Sequence, residues 1–394
     1  MKQSLRVCLV LVLCLHSLAH AQRRSGQQNP GNAESATSLR AYVGKPVSVA
    51  ELKQIVALDE KKRDSAAAKQ LFRLRLTERL STADLTLLKA DLPGERARNA
   101  LVALADSSAF LDPPAAEISA APRPDHTEER RILSLVVNYL ARTVPKLPNF
   151  YATRTTAHYD DTPEDPNVQV APGESADPLH WGGVSSATVV YSDGKEVVDP
   201  GPLKRKQKNP EEMGLITWGT FGPILTTVIG DAARSQMAFS RWEQGTDGLV
   251  AVFRVAVPKD KSHYQVTYRS PSQTQGKEQP VAYHGDVSVD SVTGTILRVT
   301  VDADFEPGVD MRIADIMVEY GPVNIGGTQY ICPLRSVSFS QGQSKIEPRN
   351  VFLPANRPDT EITRLNDVTF ASYHVFRAEV RVLSGDESIP NQKP

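Results

Sequence analysis

The chain has 394 residues, a formal net charge of −1 and 40% hydrophobic residues, which is the ordinary balance of a globular protein. Its length allows two or three domains of roughly 100 to 200 residues each. The near-neutral charge gives no reason to expect nucleic acid or an anionic membrane surface as a partner.

The first residues follow the pattern of a secretory signal peptide. Lys2 and Arg6 supply the positive start, an apolar run covers residues 7–15, and a small-x-small cleavage site ends at Ala21. We therefore expect an exported protein, periplasmic or extracellular, whose mature chain begins at Gln22. A retained anchor is the alternative, although the apolar run is shorter than the ~20 residues that span a bilayer. We expect no transmembrane span after signal cleavage.

Cleavage would remove Cys8 and Cys14 and leave Cys332 as the last cysteine. A lone thiol forms no intramolecular disulfide. Cys332 stands at the end of a strand pattern, and we interpret it as a small buried hydrophobe; a reactive thiol is the alternative.

Residues 22–37 are predicted to be a disordered leader, and residues 38–112 a small helical domain. Ser48 and Glu51 have the spacing of a capping box, which predicts a helix start. Three further amphipathic helices are predicted, and they begin at Asp64, at Ser81 with Asp84, and at Gly94. The helix that begins at Asp64 is expected to include Leu74 and Arg75. Such a bundle more often mediates protein contacts than catalysis.

The Pro- and Ala-rich residues 113–127 are predicted to form a linker. A further helix follows and stops before Pro145. Its apolar stripe is wide, which favours docking on a sheet.

Residues 128–385 are predicted to form the β domain, followed by a tail at 386–394. Between residues 283 and 340, apolar and polar residues alternate, as in antiparallel strands with one buried face. In the strand near residue 300, Val299 and Val301 lie on one side and Arg298, Thr300 and Asp302 on the other, which we expect to be exposed. Counting all hairpins, among them one that turns at Asp193-Gly194, and including a strand at 263–269 and a last strand at 369–383, gives about ten strands in one sheet that must curl to protect its edges.

One helix interrupts the strands and runs from Pro223 to Arg234. It is apolar on nearly all sides, so we expect it in the core, on the concave face of the sheet. The predicted fold class is α+β: a small N-terminal helical domain followed by a large, curled, half-barrel-like antiparallel sheet packed on helices.

Four segments resemble those of a family of exported, uncharacterised bacterial proteins: 147–154 (LPNFYATR), 240–244 (SRWEQ), 283–290 (YHGDVSVD) and 326–333 (GGTQYICP). The resemblance covers most of the mature chain and implies no known activity. More distantly, the strand order with its apolar helix is similar to the β half-barrel of periplasmic lipoprotein carrier and lipoprotein-sorting proteins, and the hairpin at 287–298 is similar to one of theirs. That resemblance implies an acyl chain held on the concave face.

The sequence has no nucleophile elbow, zinc helix, phosphate loop or dinucleotide fingerprint. The histidines are scattered, and the acidic residues from Asp302 to Asp310 fail the spacing of a calcium loop. We therefore predict a protein that is not an enzyme and uses no cofactor and no metal. An enzyme with a dispersed site, in which His263 or His284 faces a carboxylate, is the third hypothesis.

The leading hypothesis is an exported binding protein that holds a lipid-like or other apolar ligand on the concave face. Large aromatic residues near the buried helix are the candidates to line an apolar pocket. The predicted ligand-binding residues are Trp181, Trp218, Phe221, Ile224, Leu225 and Val228. The alternative is an envelope scaffold whose helical domain grips a protein partner. The basic run at 204–208 is interpreted as a solvated loop, with phosphate or lipid-headgroup contact as the alternative.

Overall fold

The computed structural model describes residues 44–59, 62–162, 179–199, 223–245, 248–269, 276–344 and 360–376. The signal peptide, the leader and the tail predicted above lie outside these residues, as do Trp218, Phe221 and the basic run. The expected fold class is confirmed, because the described chain has a curled antiparallel sheet of ten strands together with six α-helices.

Four helices form the helical domain, which comprises the described residues up to Asp112: α1 Val49–Asp59, α2 Asp64–Leu71, α3 Thr82–Asp91 and α4 Glu95–Ser107. The predicted capping box is confirmed. The Ser48 backbone N–H donates to Glu51 Oε2 at 2.7 Å, and the Glu51 N–H donates to Ser48 Oγ at 3.2 Å. The Asp64 side chain caps α4 as well, since it accepts the backbone N–H of Ala97 at 2.8 Å.

The prediction that the second helix carries Leu74 and Arg75 was wrong. The helix ends at Leu71, and Leu74–Leu76 forms strand β2, which pairs in parallel with β1, Lys45–Val47. Leu74 and Leu76 are buried while Arg75 between them is exposed. Such alternation of buried and exposed side chains is typical of a strand, which explains why no helix forms here. The backbone of this stretch finds its partners in a distant strand rather than within a helix turn.

The main sheet is antiparallel throughout. Its strands are β3 Phe150–Asp160, β4 His180–Ser192, β5 Lys195–Asp199, β6 Gln236–Gln244, β7 Leu249–Val257, β10 Ala282–Asp290, β11 Ile296–Asp304, β12 Met311–Ile325, β13 Thr328–Ser344 and β14 Thr360–Val375. They lie in the order β5-β4-β3-β14-β13-β12-β11-β10-β7-β6. The hairpin turns have the predicted chemistry: Asp193 and Gly194 have φ of 52° and 79°, as a type I′ turn requires.

Two strand predictions need correction. The strand expected at 263–269 is outside the main sheet, because β8, Gln265–Tyr268, pairs only with β9, Lys277–Pro280. The last strand begins nine residues earlier than 369, because the long β13 continues to pair with it from Arg335 to Ser344.

The predicted linker is fixed along β6. The Ser119 N–H donates to the Trp242 carbonyl, and Trp242 Nε1 donates to the Pro122 carbonyl, each at 2.9 Å. Helix α5, His126–Thr143, then starts after Asp125 and buries Ile132 and Val136 against the sheet, as expected.

Each face of the sheet is covered by a different set of helices. On the helical-domain face, Met317, Val337 and Leu365 join one hydrophobic cluster with the buried leucines of the helical domain. On the opposite face, Ile316 and Val318 join a second cluster with α5 and with α6, Pro223–Ala232. We call this second surface the α6 face.

The expectation of one exposed face was therefore wrong for the centre of the sheet. Thr300 of β11 is buried, and Arg298 and Asp302 are partly buried, because the helical domain lies over this side. A bulge in the pairing of β10 with β11 also places Ile296 in the core where the alternation predicted Leu297.

The burial predicted for helix α6 is confirmed. Leu225 and Val228 are 4% and 1% exposed, and they pack in the cluster that includes Phe253 and Tyr283. The apolar helix thus fills the α6 face.

Leu225→Ala is expected to lower the free energy of unfolding by ~2–5 kcal/mol, because it leaves a cavity beneath α6. The matched control is Leu87→Ala, whose side chain is 66% exposed and whose change should stay within about 0.5 kcal/mol. Urea unfolding followed by circular dichroism measures both. Equal losses in the two variants would contradict the packing of α6.

Candidate functional site

The predicted ligand-binding residues are not brought together where the structure describes them. Ile224, Leu225 and Val228 lie in the packed core of the α6 face. Trp181 is half exposed and stands directly opposite Tyr159, whose side chain belongs to the cluster on the helical-domain face. Trp181 and α6 therefore lie on opposite faces of the sheet, while Trp218 and Phe221 are outside the described residues.

Both histidines named in the third hypothesis do face carboxylates. His263 Nδ1 lies 2.7 Å from Asp231 Oδ1, and the same buried carboxylate accepts from the His263 backbone N–H and the Tyr283 hydroxyl. Arg234 adds an ion pair at 3.0 Å. So many donors satisfy a buried carboxylate, and the cluster fixes the end of α6 to the chain before β8.

His284 is the second case. Its Nδ1 lies 3.0 Å from Asp304 Oδ1, and this hydrogen bond raises the pKa of His284. Asp302 lies on its other side, with 3.7 Å between Nε2 and Oδ2. In the described residues, no group of three or more His, Cys, Asp or Glu side chains is arranged to hold a metal ion.

A third histidine lies in a line of polar side chains across β4, β3 and β14. His158 Nε2 is 2.8 Å from Ser185 Oγ, and His158 Nδ1 is 2.8 Å from Asn366 Oδ1. These distances match those between a nucleophile, a base and the group that orients the base. Cross-strand pairing accounts for them as well, since His158 and Asn366 are register partners.

A cavity of about 80 Å³ lies between the helical domain and the sheet. Both bodies contribute to its wall, and three of its residues are arginines from separate parts of the chain. The lining residues are Arg79, Leu80, Ser81, Thr82, Ala105, Ala109, Arg298, Met317, Glu319 and Arg335.

The floor of the cavity is a row of charges across three strands. Arg298 of β11 is the register partner of Glu319 of β12, which is in turn the partner of Arg335 of β13. Arg335 contacts Asp106 of α4 and pairs with Asp367 of β14 at 2.8 Å. Burial lowers the pKa of Arg335, but these carboxylates more than offset that effect, so the guanidinium stays charged.

Arg79 enters the cavity from the segment before α3. Its Nη2 donates to Glu243 Oε2 of β6 at 2.8 Å, and the side chain is only 10% exposed. Arg79 Nη1 is buried and has no hydrogen-bond partner among the residues that the structure describes. A buried N–H without an acceptor destabilises a fold by about 1–3 kcal/mol or more, so this group has the chemistry to hold a ligand.

Arg298 is partly buried and has few partners for a cation in such a position. Its Nη2 donates to the Ala109 carbonyl, and no carboxylate of the described chain forms a salt bridge with it. Burial, followed by the charge of Arg79, lowers the pKa of Arg298 to about 10. Negative charge in the cavity would therefore stabilise this residue.

The first turn of α3 forms the remaining wall. Ser81 caps the helix by accepting the Asp84 N–H at 3.2 Å, and Thr82 Oγ1 donates to Glu319 Oε2 at 2.7 Å. A helix N-terminus carries partial positive charge and backbone N–H groups that have no partner within the helix. The cavity thus combines three guanidinium groups, a helix start and one carboxylate.

Sequence reasoning missed all three arginines of this site. They stand in separate segments, and the alternation near residue 300 placed Arg298 in solvent. The usable signal was Asp106, an acidic residue that directly follows a run of Ala, Leu and Val at 100–105; an acidic residue buried in such a context indicates a cation nearby.

Comparison with protein-family models, with curated proteins and with solved structures finds no match to the chain. The two family resemblances drawn from the sequence stay predictions. Within the described ranges, every helix is too short or too polar to cross a bilayer.

Asp106 should give the protein a measurable pH dependence. Burial raises the pKa of its carboxyl, against the opposing charge of Arg335. Because the folded-state pKa lies above the unfolded one, this group's contribution to stability is lost as the pH rises above the range in which an ordinary carboxyl group titrates.

Asp106→Asn is expected to flatten the fall in the urea midpoint between pH 5 and pH 8, because the asparagine does not titrate. The readout is the slope of the urea midpoint against pH, compared between the wild type and Asp106→Asn. An overall loss of stability does not change this slope. Identical slopes would show that Asp106 is ionised over the whole range.

Proposed function

We propose that this chain is an exported, non-enzymatic binding protein whose ligand site is the cavity between the helical domain and the sheet. The observation that supports this proposal is that Arg79 lines the cavity and that its buried Nη1 lacks an acceptor among the described residues. A ligand that supplies one removes the cost of the unmade hydrogen bond. The export clause rests on the signal pattern of the first 21 residues.

The lining favours binding over catalysis. Its polar members are arginines, Ser81, Thr82 and Glu319, with no histidine, cysteine or lysine to act as a base or nucleophile. Ser81 Oγ accepts the hydrogen bond of the helix cap, and Glu319 Oε2 accepts from Thr82 Oγ1. Side chains held in this way are suited to fixing a ligand in place.

The lipid hypothesis stays a prediction, but the fold gives it little support. The apolar α6 face is filled by α6, with Leu225 and Val228 in its core. An acyl chain would have to displace the helix and separate Asp231 from His263 and Tyr283.

The partner hypothesis for residues 38–112 also stays a prediction. Because the helical domain shares one core with Val337, Phe339 and Leu365 of the sheet, a fragment cut at residue 112 would expose that core. Tests of a protein partner therefore require the full chain.

The proposed site is tested by filling the cavity. Ala109 lines it and is buried, so Ala109→Leu adds apolar volume inside; Ala120→Leu, at an exposed position, is the matched control. A panel of small polar and anionic compounds and of fatty acids is screened by thermal shift with the full mature chain.

We expect compounds from the polar set to raise the melting temperature of the wild type and of Ala120→Leu, and not that of Ala109→Leu. Stabilisation by fatty acids alone would contradict the proposal. An increase in the melting temperature of Ala109→Leu with polar compounds would also contradict the proposal.

A serine hydrolase is the second candidate, favoured by the line from Ser185 through His158 to Asn366. Ser185 Oγ would attack an acyl carbon while His158 Nε2 takes its proton, and Asn366 Oδ1 would hold the Nδ1–H tautomer. Asparagine carries no charge to stabilise the imidazolium, which is why binding is the leading proposal.

A fluorophosphonate probe decides this second candidate. If Ser185 is activated, its Oγ displaces fluoride, and mass spectrometry finds the adduct on the peptide containing Ser185. Ser185→Ala must abolish the adduct and His158→Ala must slow its formation, whereas Ser186→Ala, the neighbour on the other face of β4, must leave it unchanged. An unlabelled wild type would exclude the hydrolase.

A further inference from the structure

We infer that the cavity between the helical domain and the sheet binds inorganic hydrogen phosphate, held by Arg79, Arg298 and the first turn of α3 and selected by Glu319. This inference names the ligand of the site and rests on the proposed function.

The charge of the lining favours an anion. Three arginines and one glutamate face the cavity, and two of the arginines have an incomplete set of partners. Within the described chain, Arg79 has an N–H without an acceptor and Arg298 forms no salt bridge. Guanidinium groups present several N–H donors in a planar fork that suits phosphate oxygens.

The start of α3 is the second element. The helix has ten residues, and Ser81 and Thr82 of its first turn line the same cavity as Arg79. Backbone N–H groups and the helix dipole stabilise an anion at such a position. The helix end and the arginines come from different segments and converge on one space.

The volume restricts the ligand. At about 80 Å³ the cavity exceeds the ~10–15 Å³ that one water requires and is well below the ~300 Å³ at which pockets for organic ligands begin. A tetrahedral ion fits this range. The body of a sugar or a nucleotide would have to lie outside the cavity.

Glu319 decides between the tetrahedral ions. Its Oε2 accepts from Thr82, and a carboxylate has further lone pairs to accept another hydrogen bond. Hydrogen phosphate carries a P–OH group near neutral pH and donates to Glu319, whereas sulfate carries no proton and meets only repulsion. The negative charge of Glu319 weakens the binding of anions in general. The same carboxylate makes the site selective for an oxyanion that carries a proton.

Isothermal titration calorimetry of the full mature chain with sodium phosphate and with sodium sulfate, at pH 7 and low ionic strength, tests the inference. We expect phosphate to bind roughly tenfold or more tightly than sulfate, as one charged hydrogen bond allows. Glu319→Gln should reduce this ratio, because the amide donates to sulfate. Glycerol phosphate should bind more weakly than inorganic phosphate.

Arg298→Met should weaken phosphate binding roughly tenfold or more. The matched control is Arg254→Met, which removes a half-exposed arginine outside the cavity and should change nothing. If Arg298→Met fails to fold, Arg298→Lys, which keeps the charge and loses the fork, takes its place.

The outcomes separate the two proposals. Suppose that phosphate does not bind, while other polar compounds bind the wild type but not Ala109→Leu. This result would overturn the identity of the ligand and would retain the proposed site. If Arg298→Met does not alter phosphate binding, both the inference and the proposed site are contradicted. If sulfate binds as tightly as phosphate, the inference is overturned.

Discussion

This fold depends on a row of charged side chains that is buried between the helical domain and the sheet. Arg298, Glu319 and Arg335 cross the centre of the sheet, and the helical domain lies directly over them. Charges removed from water need partners, and removing one partner of a buried pair is strongly destabilising. Arg79 of the helical domain pairs with Glu243 of the sheet, and Asp106 of the helical domain contacts Arg335 of the sheet, so polar groups of each part have partners in the other.

The hydrophobic part of the same interface makes the two bodies one folding unit. Leu71 and Leu101 of the helical domain share a cluster with Val337 and Leu365 of the sheet. Apolar contacts supply most of the stabilisation of such an interface, while the ion pairs fix how its parts align. The cavity lies where polar groups of both sides converge, and the other face of the sheet is filled by α5 and α6.

Local features of this fold were predictable from the sequence, and non-local ones were not. The Ser48 capping box, the Asp193–Gly194 turn and the apolar α6 each carry their information within a few residues, and each is found as expected. The parallel pairing of Leu74–Leu76 depends on a strand far upstream. Likewise, alternation assigned Thr300 and Arg298 to a polar face, but it does not distinguish water from a second layer of protein. The candidate site depends on that distinction.

Hydrogen exchange measured by mass spectrometry at increasing urea is the most direct test of the shared interface. We predict that the amides of α4, Glu95–Ser107, and of β13, Thr328–Ser344, open in one transition with the same free energy, because Asp106 of α4 and Arg335 of β13 lose each other when the interface opens. Exchange of α4 at clearly lower urea, with β13 still protected, would show that the helical domain unfolds on its own and would contradict the shared interface.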